Sequence, residues 1–396
     1  MRFNYSDLNP DLIMDAIDLS GLRIDSGLIE LNSYENRVYQ FQDEDRRRYV
    51  VKFYRPGRWS RAQILEEHDF AARLNEAEIP VAAPIVFAGE TLLEHQGYPF
   101  AIWQSVGGRQ FEVDNLDQLE WVGRYLGRIH RVGASHSFHH RIQLDVESML
   151  HEPRQLLAAG EWVPSGLAKQ FFGVLDELIR HVGDAMSLDV ARISLHGDCH
   201  PGNILWRDGP LFVDLDDCRT GPAIQDLWMM LSGERHEQQI QLDTLLAGYE
   251  EFMEFDPREL ALIEPLRAMR IVHYMAWLAR RWEDPAFPRH FPWFNTDHYW
   301  RQQIATLHDQ LGQTLGAMRL SFDALLGLIP PDMPPKARER GRTLGQLIDT
   351  ANAEVRQALV LLRPPLLDEA GLQAALESGH RGHARARQCH WCAAAG

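Results

Sequence analysis

Lysine is nearly absent from this chain. Lys52, Lys169 and Lys336 are the only three among 40 basic residues. Arginine carries the rest, so a lysine kept at an ordered position points to a task for a compact ammonium. Cysteine is also scarce: Cys199, Cys218, Cys389 and Cys392. Two near the middle and two at the far end make no disulfide framework and fit a reducing cytosol. No apolar run approaches the ~18–20 residues that a membrane-spanning helix needs. The N-terminal residues lack a basic segment followed by an apolar core, so no signal peptide is expected and the cytoplasm is the expected location. Positive charge is in deficit, at net −16, which argues against a general nucleic-acid or anionic-membrane binder.

What is present is ample for folding. The chain has 396 residues, 45% of them hydrophobic, enough for one large or two to three small cores. Charge is uneven: residues 307–396 hold 10 Lys/Arg against 9 Asp/Glu, whereas residues 1–306 hold 30 against 47. Asn9 to Leu19 predicts a short helix. From Leu22 to Tyr54, LRIDSGLIEL, RVYQFQ and RYVVKFY predict an antiparallel sheet. Ser60 to Asn75 predicts a helix capped by Ser60, with Ile64, Leu65, Phe70 and Leu74 on one face. IPVAAPIVFAG and YPFAIWQSV predict two further strands, and SVGG at 105–108 a hinge. Beyond Gly108 the pattern is mainly helical. The expected fold is α+β and bilobal: a β-rich lobe over 1–104 and a helical lobe over 105–306.

One stretch interrupts the helices. Leu195 to Leu227 reads LHGDCHPGNILWRDGPLFVDLDDCRTGPAIQDL. Asp198, Asn203 and Asp214 are held there by tight turns and a short strand. A carboxylate, an amide oxygen and a second carboxylate suit proton acceptance from a hydroxyl and coordination of Mg²⁺ by hard oxygens. Both are needed for phosphoryl transfer from ATP. Asp198 is the candidate base, Asn203 and Asp214 the candidate metal ligands, and Asp216 shares the Asp214 face by strand alternation. His196 and His200 read as structural hydrogen bonders. Cys199 reads as a packed thiol beside a reactive centre, and Asp226 as a helix-start carboxylate bracing the loop.

Lys52 sits in YVVKFY, too apolar a strand for a solvated lysine, and suits the α/β-phosphates of ATP. Its expected carboxylate partner is Glu67, with Glu66 next to it. Residues 32–39 are where a phosphate-covering loop belongs. They carry no glycine-rich fingerprint, although the Ser33 hydroxyl and backbone N–H groups can cap a phosphate.

At these residues the chain resembles the protein-kinase-like fold in the branch of aminoglycoside and choline kinases. More narrowly it is similar to the bacterial stress response kinase A family of Ser/Thr protein kinases. LNSYENRVYQFQDEDRRR, VVKFYRP, SVGGRQF, HGDCHPGNILWRDGP, FVDLDD, PLRAMR and DPAFP carry that resemblance, over roughly residues 1–306. It implies Asp198 as proton acceptor, Asn203 and Asp214 on Mg²⁺, Ser33 on ATP, and a protein Ser/Thr substrate in stressed cells. Gly197 stands where ordinary protein kinases have arginine, no Phe-Gly follows Asp214, and only eleven residues separate Asp214 from Asp226. Switching by an ordered activation loop is therefore not expected.

Residues 307–377 resemble the dimerisation and phosphoacceptor hairpin of sensor histidine kinases, with His308-Asp309 at the acceptor position. IPPDMPP at 329–335 is the expected interhelix loop, and residues 378–396 are expected to form no folded element. No ATP-binding domain of that histidine kinase type is expected, so pairing into a homodimer is the readier expectation than phosphotransfer, with the kinase part a monomer by itself. Two other functions stay open. One is a kinase of an amino sugar or amino alcohol, weakly disfavoured by the arginines of PLRAMRIVHYMAWLARRW. The other is a non-catalytic nucleotide-binding dimeric scaffold.

Overall fold

The computed structural model describes residues 5–31, 33–328, 345 and 350. Helix α1 (Pro10–Asp18) precedes β1 (Ile29–Leu31), β2 (Arg37–Gln42) and β3 (Arg48–Phe53). Helix α2 (Arg61–Glu76) follows, then β4 (Leu93–His95), β5 (Tyr98–Gln104) and β6 (Arg109–Gln110). Three helices come next: α3 (Leu116–Ser135), α4 (Glu152–Ala159) and α5 (Ser165–Met186). Short strands β7 (Ile193–Leu195), β8 (Ile204–Trp206), β9 (Pro210–Phe212) and β10 (Arg219–Gly221) lead into α6 (Ile224–Trp228) and α7 (Arg235–Tyr249). Helices α8 (Ile263–Arg281), α9 (Ala286–His290) and α10 (Asp297–Leu328) are the last described. The fold is α+β, sheet-rich at its N-terminal part and helical beyond. The described residues form two compact units, one holding 5–143 and 191–255, the other 144–190 and those from 256 on.

In the first unit an antiparallel sheet runs in the order β1-β2-β3-β5-β4. Alternation along β3 decides which side chains go where. Tyr49, Val51 and Phe53 pack with Phe100 and Ile102 of β5 against Leu12, Ile13, Ala16 and Ile17 of α1. The opposite face carries Ala101 and the tip residue Tyr54 against Ile64 of α2, and Lys52 pairs in register with Ala101 on that face. Both faces of β3 are covered, which is why its sequence is a continuous apolar run. Helix α2 starts as the sequence predicts, with a capping box between Ser60 and Gln63. Its buried face holds Ile64, Glu67, His68, Phe70, Ala71 and Leu74; Leu65 is exposed instead.

The expected strand at IPVAAPIVFAG does not form. Pro80 and Pro84 lack the N–H groups a ladder requires. The segment instead makes separate contacts: Ala82 N donates to Phe212 O, Phe212 N to Pro80 O, and Ile85 N to Ile102 O. It thereby ties the sheet to the central short strands. Helices α3 and α7 pack at backbone distance. A Cβ on Gly123 would lie 2.2 Å from Leu245 O, and one on Gly248 2.2 Å from Glu120 O. Only glycine permits this approach.

The second unit is helical around an aromatic core. Phe171, Phe294 and Trp300 pack ring to ring, and Trp162 and Trp282 both meet Phe294. Helix α10 runs through residues 306 and 307 without interruption, with Trp300, Ile304, Leu307 and Leu311 buried. The expected 329–335 loop, and the part of the hairpin beyond it but for residues 345 and 350, lie outside the described residues. So does the 378–396 tail.

Candidate active site

The central stretch folds as short strands joined by tight turns, all in the first unit. Strand β7 ends at Leu195, and His196 to His200 follow as a turn held from below. Asp226, in the first turn of α6, is fully buried. Its Oδ2 accepts from His196 N at 2.9 Å and its Oδ1 from Gly197 N at 2.8 Å. His130 Nε2 meets Oδ2 at 3.1 Å, and His130 Nδ1 meets the Tyr249 hydroxyl at 3.0 Å. The brace expected of Asp226 is therefore present, with a buried histidine and tyrosine behind it. His196 Nε2 meets Val213 O at 3.1 Å, and His200 Nδ1 accepts from Gly202 N at 3.0 Å, so both act in the turn. Gly197 has φ +83°, and a Cβ there would lie 2.2 Å from Asp217 O. An arginine is excluded at this position because the backbone after Asp214 packs on it.

Asp198 is partly exposed, with an oxygen 3.6 Å from His200 Nε2. Asn203 Nδ2 donates to Asp198 O at 3.0 Å, which leaves Oδ1 as the acceptor atom of the amide. Asp214 takes a left-handed backbone with φ +63°. Its side chain is half exposed and lies 3.2 Å from Lys52 Nζ. Asp216 is buried and closer, with Oδ1 2.6 Å from Lys52 Nζ. Lys52 also lies over the rings of Trp103 and Tyr54. Burial opposes its charge, but Asp216 and Asp214 outweigh that and hold the ammonium well above the usual lysine range. Burial likewise opposes ionisation of Asp216, and Lys52 with Arg58 overcomes it, so its carboxyl lies below the usual range.

Glu67 is not the ion partner of Lys52. Among the described residues Lys52 pairs with Asp214 and Asp216. Glu67 acts on it only through space; its nearest cation is Arg141 Nη1 at 4.0 Å. Burial and the charge of Asp216 push Glu67 up to about 8. The helix spacing placed Glu67 on the buried face, as expected. The reach of the loop from Asp214 to Asp217, a long-range matter, put another carboxylate nearer. Glu66 turns to different work: its carboxylate accepts from the backbone N–H groups of His139, His140 and Arg141 at 2.6, 2.8 and 2.8 Å.

Ser33 lies in the loop before β2, where its Oγ accepts from Asn36 N at 3.4 Å. The loop is fastened to the central stretch by residues the sequence did not single out. Asn36 Nδ2 donates to Asp216 Oδ2. Arg58 reaches Asp217 at 2.9 Å and Glu35 at 3.8 Å. Arg58 and Arg219 hold Asp217 far below the ordinary carboxylate range against the cost of burial. The only local signal for them was an arginine-rich turn after β3. Cys199 is buried, and burial raises its thiol well above the ordinary value, which makes it inert packing.

A chain-wide comparison matches the phosphotransferase enzyme family over residues 28–263. Over 308 residues the chain is 60% identical to stress response kinase A of Escherichia coli O157:H7, covering 78% of this chain and 94% of that protein. The chain belongs to the phosphotransferase enzyme family. Its similarity to this phosphotransferase's relatives extends to a Salmonella typhimurium protein called serine/threonine protein kinase RdoA, 58% identical over the same shares. Solved structures share the fold. An amicoumacin kinase in complex with AMP-PNP, Ca²⁺ and Ami has a TM-score of 0.58 at 21% identity, covering 72% of this chain and 92% of that one. A microcompartment-associated aminopropanol kinase has a TM-score of 0.57 at 17% identity, covering 79% and 98%. Residues 301–367 match a histidine kinase family. Within that segment His308 is buried, its Nδ1 has no partner among the described residues, and burial lowers its pKa. No described helix is long and apolar enough to cross a membrane.

Proposed function

We propose that this phosphotransferase is an ATP- and Mg²⁺-dependent protein serine/threonine kinase of the stress response. Its main support is that Lys52, Asp198, Asn203 and Asp214 belong to one compact unit in a chain 58–60% identical to kinases of that name. Asp198 accepts the proton of the acceptor hydroxyl as the phosphoryl group transfers. Lys52 turns its ammonium to the α/β-phosphates, with Asp216 in reach to hold it. Glu67 stands behind as a third acidic side chain. Ser33 and the N–H groups of its loop cap the outer phosphates.

Among the described residues no three His, Cys, Asp or Glu side chains make a complete metal cage. Mg²⁺ needs only one or two protein oxygens when phosphates and water complete its shell. The amide oxygen of Asn203 and the half-exposed carboxylate of Asp214 fit it as hard donors. When bound there, Mg²⁺ supplies charge neutralisation at the β- and γ-phosphates.

The test is an unbiased phosphopeptide screen with labelled ATP, comparing wild type with Asp198→Ala. Phosphoserine or phosphothreonine that disappears in the variant is expected. Labelling of amino sugars or amino alcohols alone would move the chain to small-molecule kinases, and no transfer at all would favour a scaffold. The match over 301–367 supports a separate proposal, pairing of two chains through residues 307–377. Sedimentation of the full chain against one ending at Leu328, which keeps α10 whole, tests it; a monomeric full chain refutes it.

A further inference from the structure

Phosphoryl transfer requires the lysine strand, the helix behind it and the metal loop to be in register at once. Many protein kinases reach that state only when a phosphorylated loop docks on arginine. Here Gly197 stands where those kinases have an arginine, and the span after Asp214 is short. Something else must hold helix α2 and the Asp214 loop together.

A buried arginine outside the central stretch makes the required contacts. Arg141 follows α3, and its side chain has no exposure. Its Nη2 donates to Asp216 O, and its Nε to Cys218 O at 2.8 Å. These two carbonyls are the backbone of the loop that carries Asp214 and Asp216. On its other side the guanidinium lies 4.2 Å from the centre of the Trp59 ring. Its Nη1 faces α2, 3.5 Å from Gln63 O and 4.0 Å from Glu67. The segment bearing Arg141 is itself bolted to α2. Glu66 takes the N–H groups of residues 139 to 141, and Gln63 Nε2 donates to His140 O at 3.0 Å.

We propose that Arg141 is a positioning residue that locks helix α2 to the Asp214–Cys218 loop. The phosphotransferase is thereby assembled for catalysis without phosphorylation of its own chain. The proposal rests on the kinase activity proposed above. A planar fork suits this place, since it serves two carbonyls on one edge while its face lies on an aromatic ring. An ammonium reaches one carbonyl and cannot stack in the same way. A metal-loop displacement of about 1 Å is enough to cost roughly 100-fold in rate.

The test uses the full chain, treated with a protein phosphatase and compared with untreated protein. Wild type should be equally active in both states; loss of activity on treatment overturns the proposal. Arg141→Met is expected to lower kcat about 100-fold and to raise the Mg²⁺ concentration for half-maximal activity about 10-fold. Its affinity for a fluorescent ATP analogue without Mg²⁺ should stay within about threefold, because Lys52 stays anchored on strand β3 even where its loop carboxylates shift. A folded Arg141→Met with wild-type kcat and Mg²⁺ dependence overturns the proposal, as does an equal loss of Mg²⁺-free nucleotide binding. If Arg141→Met does not fold, Arg141→Lys decides: a kcat loss of about 10-fold with a raised Mg²⁺ requirement supports the proposal, and wild-type values overturn it. If wild type phosphorylates no acceptor, the proposed activity fails separately. The lock is then judged by how strongly Mg²⁺ tightens binding of the analogue, an effect that Arg141→Lys should reduce about 10-fold and that overturns the lock if unchanged.

Discussion

Replacing Glu67 by glutamine tests whether a buried carboxyl group beside the site keeps its proton in the ligand-free protein. Glu67 is 3% exposed, and its Oε2 has no hydrogen-bond partner among the described residues. Burial and Asp216 raise it from 4.5 to about 8, against the pull of Lys52 and Arg141. Between those values the native chain binds a proton that the unfolded chain has released. The contribution of this group to stability is therefore fully favourable below pH 4.5 and declines as pH rises toward 8. The interval corresponds to roughly 4–5 kcal/mol at about 1.4 kcal/mol per pH unit. Relaxation and entry of water around an ionised Glu67 reduce the measured penalty to on the order of 2–3 kcal/mol. Glutamine keeps the shape and never ionises. Urea unfolding without nucleotide at pH 5, 7 and 9 should show Glu67→Gln near wild type at pH 5 and more stable by that amount at pH 9. A pH-independent difference refutes the protonated state. A variant that loses stability as pH rises shows that ionised Glu67 is paired with Lys52 or Arg141.

Other substitutions separate chemistry from support. Asp198→Ala should lower kcat by about 10²–10⁴-fold, the usual worth of a general base, and leave nucleotide affinity nearly unchanged in binding titrations. Asp226→Asn turns an amide N–H₂ toward backbone donors that now bond two carboxylate oxygens; a loss of about 2–4 kcal/mol in urea unfolding is expected. Gly197→Arg, which restores the residue of ordinary protein kinases, should destabilise by at least about 2–3 kcal/mol. It forces a side chain into a left-handed backbone and against Asp217 O at 2.2 Å. Gly123→Ala should cost about 1–3 kcal/mol by prising α3 from α7, read from the thermal midpoint, because its Cβ would meet Leu245 O at 2.2 Å.

Local pattern determined a large share of this protein. Alternation in RYVVKFY set Lys52 on the face of the sheet opposite α1, and the turns of HGDCHPGN brought Asp198 and Asn203 together within a few residues. The N-cap at Ser60 and the brace at Asp226 were legible because caps and first-turn carboxylates act over three or four positions. Where proline interrupts IPVAAPIVFAG, the apolar pattern suggested a strand that the missing N–H groups do not allow. Tertiary structure alone decided which carboxylate holds Lys52. Helical spacing buries Glu67, but Asp216, 164 residues from Lys52 in the chain, arrives at 2.6 Å. Asn36, Arg58 and Arg141 bind the site from separate segments, and no periodicity assigns them that role. The hydrogen bonds of Arg141 go to backbone carbonyls, which every residue possesses. Its partners are set by where the loop passes, and only the packed chain contains that information.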